Sequence, residues 1–156
     1  MKKVIVSCVL LTLAVVQTAS ALDVGVFASR WSHKDGDATW GGGLLLLPAS
    51  LPIEMRGTFY ERSDTGQLQV SPVDLGFAFS LTRFDSLRLS LVGGVSYFWV
   101  DAKGSSPDNE FGWYGGGRME FDVQTGLAVF GEALYRGADL DDADFSGATF
   151  NIGILF

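Results

Sequence analysis

The chain ends in Ala148-Thr149-Phe150-Asn151-Ile152-Gly153-Ile154-Leu155-Phe156. Large apolar side chains stand at positions 150, 152, 154 and 156 of this stretch. A period of two places them on one face of an extended strand. A soluble protein rarely leaves an apolar stripe at its terminus, because termini tend to fray into water. The pattern therefore predicts a β-strand, and contact of its apolar face with lipid would explain the stripe.

The opposite end, residues 1–21, has the composition of a secretory signal peptide. Two lysines precede the apolar run Val4–Val16, and Ala19-Ser20-Ala21 forms a small-residue cleavage site. The run is too short for a membrane-spanning helix, which needs about 20 apolar residues. We expect export, removal of residues 1–21 and a mature chain of 22–156. About 135 residues remain, which is enough for one domain.

The composition of the mature chain excludes several functions. Removing the signal changes the formal net charge from −7 to −9, because the segment contains two lysines and no acid. An acidic exported protein is a poor candidate for nucleic-acid binding, which needs clustered Lys and Arg. Cys8 is the only cysteine and lies within the signal, so neither disulfides nor thiol chemistry are expected. We predict no nucleic-acid partner and no cofactor.

Eight extended segments separated by turn-forming clusters make up the mature chain. They are about Leu22–Trp31, Ala38–Leu47, Pro52–Arg62, Gln67–Leu81, Leu87–Val100, Phe111–Asp122, Leu127–Arg136 and Ala148–Phe156. No helical period competes with them. The links alternate between tight and longer, which predicts an all-β, eight-stranded antiparallel up-and-down barrel.

The second segment fits this scheme least well, because Leu44-Leu45-Leu46-Leu47 is apolar on both parities. Two interpretations remain open. Either the lower half of the strand packs inward against a closed floor, or the assumed register is wrong by one residue.

Alternation alone does not say which face of the barrel is outside. The third segment sets Ile53, Met55 and Phe59 against Glu54 and Arg56. In a soluble, lipocalin-like calyx the apolar face lines a cavity for a hydrophobic ligand, whereas in a transmembrane barrel the apolar face contacts lipid.

The aromatic positions favour the transmembrane barrel. Trp and Tyr residues flank the longer links, all of which lie at one end of a meander. Such a ring is typical of an interfacial girdle, because these amphipathic side chains prefer the level of the headgroups. The predicted girdle consists of Trp31, Trp40, Tyr60, Trp99, Trp113 and Tyr135.

The charged face then lies inside. The predicted lumen network consists of Glu54, Arg56, Asp74, Arg88, Arg118, Glu120 and Glu132, with Asp23 and Asp122 nearer the periplasmic end. An eight-stranded barrel is only about wide enough for side chains to fill. Buried charges are costly unless they are paired, so we expect both signs to neutralise one another in a plug. Such a plug argues against a wide pore.

In these features the mature chain resembles small eight-stranded outer-membrane barrels of the OmpA-barrel, OmpX and opacity-protein type. The most specific element is the alternation of Phe150, Ile152, Ile154 and Phe156, which is similar to the signal read by the outer-membrane assembly machinery. The resemblance implies Sec-type export, location in the bacterial outer membrane, and periplasmic N- and C-termini. It also implies contact with outer-membrane lipid, lipopolysaccharide and the assembly machinery.

No residues form a strong catalytic constellation, so we expect a non-enzymatic structural or surface-interaction barrel without catalytic residues. One alternative is a lipid-modifying enzyme, an acyltransferase or deacylase. Such an enzyme needs a serine nucleophile, a histidine base and an acid. The candidate residues are Ser29 or Ser32, His33, and Ser63-Asp64.

A transport role is a further alternative, through a narrow porin-like pore or a metal-responsive loop. The last loop contains the acidic residues Asp139, Asp141, Asp142 and Asp144. Their spacing lacks the glycine and the distant glutamate of a calcium-binding hand. We therefore predict no metal site.

Overall fold

The computed structural model describes residues 22–34, 38–61, 68–102, 109–137, 139–140, 143–144 and 146–156. The predicted signal peptide, 1–21, lies outside these ranges, as do parts of the four longer loops. Within the described ranges, no helix is both long enough and apolar enough to cross a membrane.

The described strands follow the predicted segments closely. In chain order they are β1 (Leu22–His33), β2 (Thr39–Pro48), β3 (Ile53–Tyr60), β4 (Leu68–Phe84), β5 (Leu87–Ala102), β6 (Glu110–Gln124), β7 (Leu127–Gly137), β8 (Asp139–Leu140), β9 (Ala143–Asp144) and β10 (Gly147–Leu155). β8 and β9 pair only with each other, within the last loop. The other strands form a closed barrel in the order β1-β10-β7-β6-β5-β4-β3-β2. The predicted eight-stranded antiparallel barrel is thus confirmed.

The barrel closes where β10 meets β1. Gly25 lies opposite Leu155, and the antiparallel register continues to His33 opposite Gly147. Val24 and Phe156 exchange two further backbone hydrogen bonds, of 3.1 and 2.9 Å. This pairing removes the open edge that a flat sheet would expose.

Tight turns gather at one end of the barrel, together with residues 22 and 156. We call this the turn end, and the opposite end, with the longer links, the loop end. The turns lie at 48–53, 84–87 and 124–127. Gly126 has a φ of 76° and Asp85 a φ of 46°, a left-handed conformation that glycine adopts freely and that Asp tolerates.

β4 differs from its predicted extent, because it continues past Leu81 to Phe84. Its register against β5 shifts between Ser80 and Thr82, so Leu81 is the extra residue of a bulge. The bulge lets the strand carry on pairing into the turn.

β2 supports the first of the two interpretations left open by its leucines. Leu45 is fully buried and belongs to an interior cluster with Phe27, Ala128, Phe130 and Leu155, against which Leu47 packs. Leu44 and Leu46 stand on the opposite parity. The lower half of β2 therefore builds an apolar floor near the turn end.

Large apolar side chains cover the outer wall. Those with exposures from 40% to 65% include Met55, Phe59, Leu75, Phe77, Phe79, Leu91, Val95, Met119, Phe121, Phe150, Ile152 and Ile154. Phe156, the last residue of the predicted assembly signal, is 43% exposed. The barrel thus turns its apolar face outward on β3, β4, β5, β6 and β10.

Candidate functional site in the barrel interior and the outer belt

Three carboxylates and three guanidinium groups lie at the centre of the barrel. Each of the six residues that carry them is no more than 5% exposed. They are Glu54, Asp74, Glu132, Arg56, Arg118 and Arg136. All of them stand on the inward parity of β3, β4, β6 and β7. Equal numbers of each sign make this group, the central network, formally neutral.

Two arginines and two glutamates form a ring within the central network. Arg56 donates to Glu132 at 2.7 and 3.1 Å and to Glu54 at 2.8 Å. Arg118 donates to Glu132 at 2.5 Å and also to Glu54. Each guanidinium group therefore bridges both carboxylates. As a result, each of these four buried charges has partners of the opposite sign.

Arg136 and Asp74 form the other part of the network. Arg136 donates two parallel bonds to the carboxylate of Asp74, at 2.8 and 2.7 Å, and one to Ser96 at 3.2 Å. Ser96 in turn donates to Asp74 at 2.7 Å. The sequence analysis did not include Arg136, although it shares the inward parity of Glu132. Parity alone would have identified it.

Tyr114 connects the two parts. Its hydroxyl donates to Glu54 at 2.8 Å, and its ring centroid lies 5.3 Å from the guanidinium carbon of Arg56 and 5.7 Å from that of Arg136. Gly76 leaves room for this hydroxyl, because a Cβ at that position would overlap it. The sequence analysis missed Tyr114 because it followed only charged groups.

Trp31 and Tyr60, two members of the predicted girdle, do not lie on the outer wall. Both are only 1% exposed and lie inside the loop end, where Trp31 is 5.2 Å from Tyr60 and 6.0 Å from Phe98 between ring centroids. The Tyr60 hydroxyl shares a 2.8 Å hydrogen bond with Ser29. The prediction was wrong because it relied on nearness to a loop. Strand alternation puts Tyr60 on the inward face of β3, the same face as Arg56.

The other four residues of the predicted girdle lie on the outer wall. Trp40 and Trp99 are 56% exposed, Trp113 is 54% and Tyr135 is 48%. Trp113 and Tyr135 contact each other, with ring centroids 5.8 Å apart.

The sequence analysis did not include two further aromatic residues of this wall, Tyr97 and Phe111. Tyr97 contacts Trp99 at 5.5 Å and Phe111 at 5.0 Å. We call the outward aromatics near the loop end the outer belt; they are Trp40, Tyr97, Trp99, Phe111, Trp113 and Tyr135.

Arg88 and Glu120, two members of the predicted lumen network, lie apart from its centre. They pair with each other at 3.2 Å, and the Arg88 side chain is 35% exposed. A 3.7 Å contact between Glu120 and Arg118 joins them to the central network. With Asp23, Arg83 and Asp122 they line an open pocket of about 460 Å³ at the turn end.

The residues considered for lipid modification are only partly described. Ser29 is 1% exposed and is bonded to Tyr60 inside the barrel, where a lipid outside cannot reach it. The side chain of His33 and residues Ser63-Asp64 lie outside the described part.

The predicted absence of a metal site is tested only in part by the described residues. Among them, no group of three or more His, Cys, Asp or Glu could hold a metal ion. Asp141 and Asp142 of the acidic loop lie outside that part of the chain.

Comparison of the fold with solved structures gives several matches. Neisserial surface protein A is 10% identical, with a TM-score of 0.66 over 87% of this chain and 96% of the other. The N-terminal β-barrel domain of Pseudomonas aeruginosa OprF is 13% identical, with a TM-score of 0.55 over 87% and 97%. The Yersinia pestis outer membrane protein Ail, in a phospholipid bilayer nanodisc, is 16% identical, with a TM-score of 0.54 over 88% and 100%.

No protein-family model and no curated protein sequence matches the chain. At these identities the structural matches speak for the fold alone. They cover nearly the whole of each matched barrel and 87–88% of this chain. The chain therefore has the fold of the small eight-stranded outer-membrane β-barrels.

Proposed function

We propose that the protein is a non-enzymatic barrel of the bacterial outer membrane, with a structural or surface-interaction role and a plugged lumen. The observation that carries the proposal is the inverted polarity of the barrel. Leu75 and Phe77 are 52% and 50% exposed on the outer wall, while Glu54 and Asp74 are 0% and 1% exposed inside. A transmembrane barrel requires this distribution.

A soluble calyx would have the opposite distribution. Soluble monomers rarely expose contiguous apolar patches larger than a few hundred Å². Here apolar side chains follow one another along entire strands, as in β10 from Phe150 to Ile154. A protein with this apolar wall would associate or aggregate in water, whereas in a membrane the wall would contact lipid chains.

The interior supports a plug in three layers. The aromatic cluster of Trp31, Tyr60 and Phe98 lies near the loop end, and the floor containing Leu45 and Phe130 lies near the turn end. The neutral central network lies on the inward face of the strands between these two clusters. Planar-bilayer recordings should therefore show no conductance steps of porin size, and stable large steps would contradict a plugged lumen.

The proposal includes an orientation and partners. Both termini and the turn end face the periplasm, and the loop end faces outward, where it contacts lipopolysaccharide and any surface ligand. Before insertion, the assembly machinery binds β10 through its outward apolar residues, since Phe150, Ile152 and Ile154 form one exposed row.

The first test is the location of the protein. The account predicts that it fractionates with the outer membrane and that the folded form migrates differently from the boiled form on a gel. Recovery in the soluble periplasmic fraction, with no change on boiling, would contradict the proposal.

A charge placed on the outer wall gives a second test. Replacing Leu75 by Arg should cost about 2–4 kcal/mol of folding free energy in a bilayer if position 75 lies near the midplane. The same change on a water-exposed surface is usually within about 0.5 kcal/mol. Leu51→Arg, at a position that is 54% exposed in the turn between β2 and β3, is the matched control. Equal stability of the two variants in lipid vesicles would argue against lipid contact at Leu75.

A further inference from the structure

Arg30 is a charged residue on the apolar outer wall. It lies on β1, is exposed, and shares the outward parity of Ala28 and Ser32. Its neighbours across the two adjoining ladders are Trp40 on β2 and Phe150 on β10. In the described parts of β6, β7 and β10 the outward parity contains no charged residue. The cation therefore stands next to an aromatic belt that contains little other charge.

Trp40 holds the guanidinium group of Arg30 in place. The guanidinium carbon lies 5.3 Å from the ring centroid of Trp40, within the range of a cation–π contact. None of the ion pairs between described residues includes Arg30. Glu61 is an exposed acid near Trp40, since its backbone N–H donates to the Trp40 carbonyl at 2.7 Å. It follows β3, however, and so lies on the side of Trp40 that is away from Arg30. Within the described part of the chain, no acid therefore neutralises the positive charge of Arg30.

We propose that Arg30, held by Trp40, binds the phosphate group of a membrane lipid at the loop end. The inference rests on the proposed membrane location and adds the chemistry of one contact. A guanidinium presents a planar fork of donors that matches a phosphate in two parallel hydrogen bonds. Trp prefers the headgroup level, so a cation stacked on Trp40 lies where lipid phosphates are found. The exposed Ser32, next on the same row, adds a hydroxyl donor.

Lipid binding by the purified full protein in maltoside micelles, which contain no phosphate, tests this inference. The probes are lipid A, lipid A from which the phosphates have been removed, and phosphatidylglycerol. Native mass spectrometry counts the bound lipid at each concentration. The variant is Arg30→Gln, which keeps a polar side chain and removes the charge. The matched control is Arg83→Gln, at an arginine that is also exposed but lies at the turn end and pairs with Asp122.

The proposal predicts that Arg30→Gln binds a phosphorylated lipid about fivefold more weakly than the wild type, the effect of one basic residue near a headgroup. Arg83→Gln should bind as the wild type does, and the dephosphorylated lipid should not distinguish the variants. A loss for lipid A alone identifies lipopolysaccharide as the source of the phosphate. A loss for phosphatidylglycerol as well identifies any phosphate-bearing lipid, and a loss for phosphatidylglycerol alone identifies a phospholipid.

Two results would overturn the proposal. One is equal binding of both phosphorylated lipids by Arg30→Gln and the wild type. The other is an equal loss for the dephosphorylated lipid, which would indicate a packing defect. Boiling-dependent migration of each variant shows separately that it is folded. Since binding is measured in micelles, failure of the wild type to insert into bilayers would refute the membrane location without deciding the phosphate contact.

Discussion

Replacing Arg136 by methionine should destabilise the barrel strongly. Arg136 and Asp74 both have fully buried side chains, and the substitution removes two hydrogen bonds to that carboxylate and one to Ser96. Methionine retains much of the volume but leaves the central network with three carboxylates and two guanidinium groups. Breaking a buried pair from one side typically costs about 3–5 kcal/mol, because the remaining charge loses its partner. Arg56 remains 3.7 Å from the Asp74 carboxylate and compensates part of its charge. We therefore expect a loss near the lower end of that range.

The matched control is the Arg83–Asp122 pair at the turn end. Its 2.9 Å contact resembles the buried one, but its side chains are 59% and 36% exposed. Solvent screens such pairs, so Arg83→Met should cost no more than about 1 kcal/mol. The double variant Asp74→Asn with Arg136→Met restores neutrality. Its loss should therefore fall short of the sum of the two single losses by about 0.5–3 kcal/mol.

Urea unfolding of the folded barrel in lipid vesicles, followed by tryptophan fluorescence, gives these free energies by linear extrapolation. The reasoning would be refuted if Arg136→Met lost no more stability than Arg83→Met. That result would mean that water or rearranged side chains compensate Asp74 as well as Arg136 does.

Three further outcomes are expected. Gly76→Ala should cost about 1–3 kcal/mol in the same unfolding assay by overpacking the interior, whereas Gly57→Ala, whose Cβ meets nothing within 4 Å, should be nearly neutral; equal effects would contradict the packing described. Deletion of Phe156 should lower the folded, membrane-inserted fraction more than a loop substitution such as Ser106→Ala, since it removes both backbone bonds to Val24, and normal insertion would count against this role. His33→Ala should leave the lipid A composition of cells unchanged, and a changed acylation pattern on mass spectrometry would support the enzymatic alternative.

The alternation of residues along the strands predicted the architecture well, because it gives most strands one apolar and one more polar face. Parity places Glu54, Arg56 and Glu132 inside, and the structure has them there. Trp31 and Tyr60 show where a second criterion misled: nearness to a loop is common to residues of both faces, so only parity distinguishes a belt residue from one inside the barrel mouth.

The pairing inside the barrel could not be predicted from the sequence. Arg56 bonds Glu132, 76 positions away, because the register of every intervening ladder sets their relative height. The bulge at Leu81 alters one of these ladders, and the surrounding sequence, Ser80-Leu81-Thr82, gives no clear signal of it. Tyr114 escaped attention for a different reason: an uncharged side chain can connect charged ones only when its distance to them is known.

The central claim is that positions 73, 75, 77 and 79 of β4 face lipid and that the even-numbered positions between them face the interior. Since Cys8 is the only cysteine and lies in the predicted signal, single cysteines at 73, 75, 77, 78 and 79 can carry nitroxide labels in the mature protein. Positions 74 and 76 stay unlabelled, because Asp74 pairs with Arg136 and a side chain at Gly76 would overlap Tyr114. The accessibility of each label in lipid vesicles is measured with oxygen, which partitions into lipid, and with a water-soluble nickel complex. The account predicts high oxygen accessibility at 73, 75, 77 and 79, and a marked fall in oxygen accessibility at 78. Access of the nickel complex to the four odd positions, or equal oxygen accessibility at 78, would contradict it.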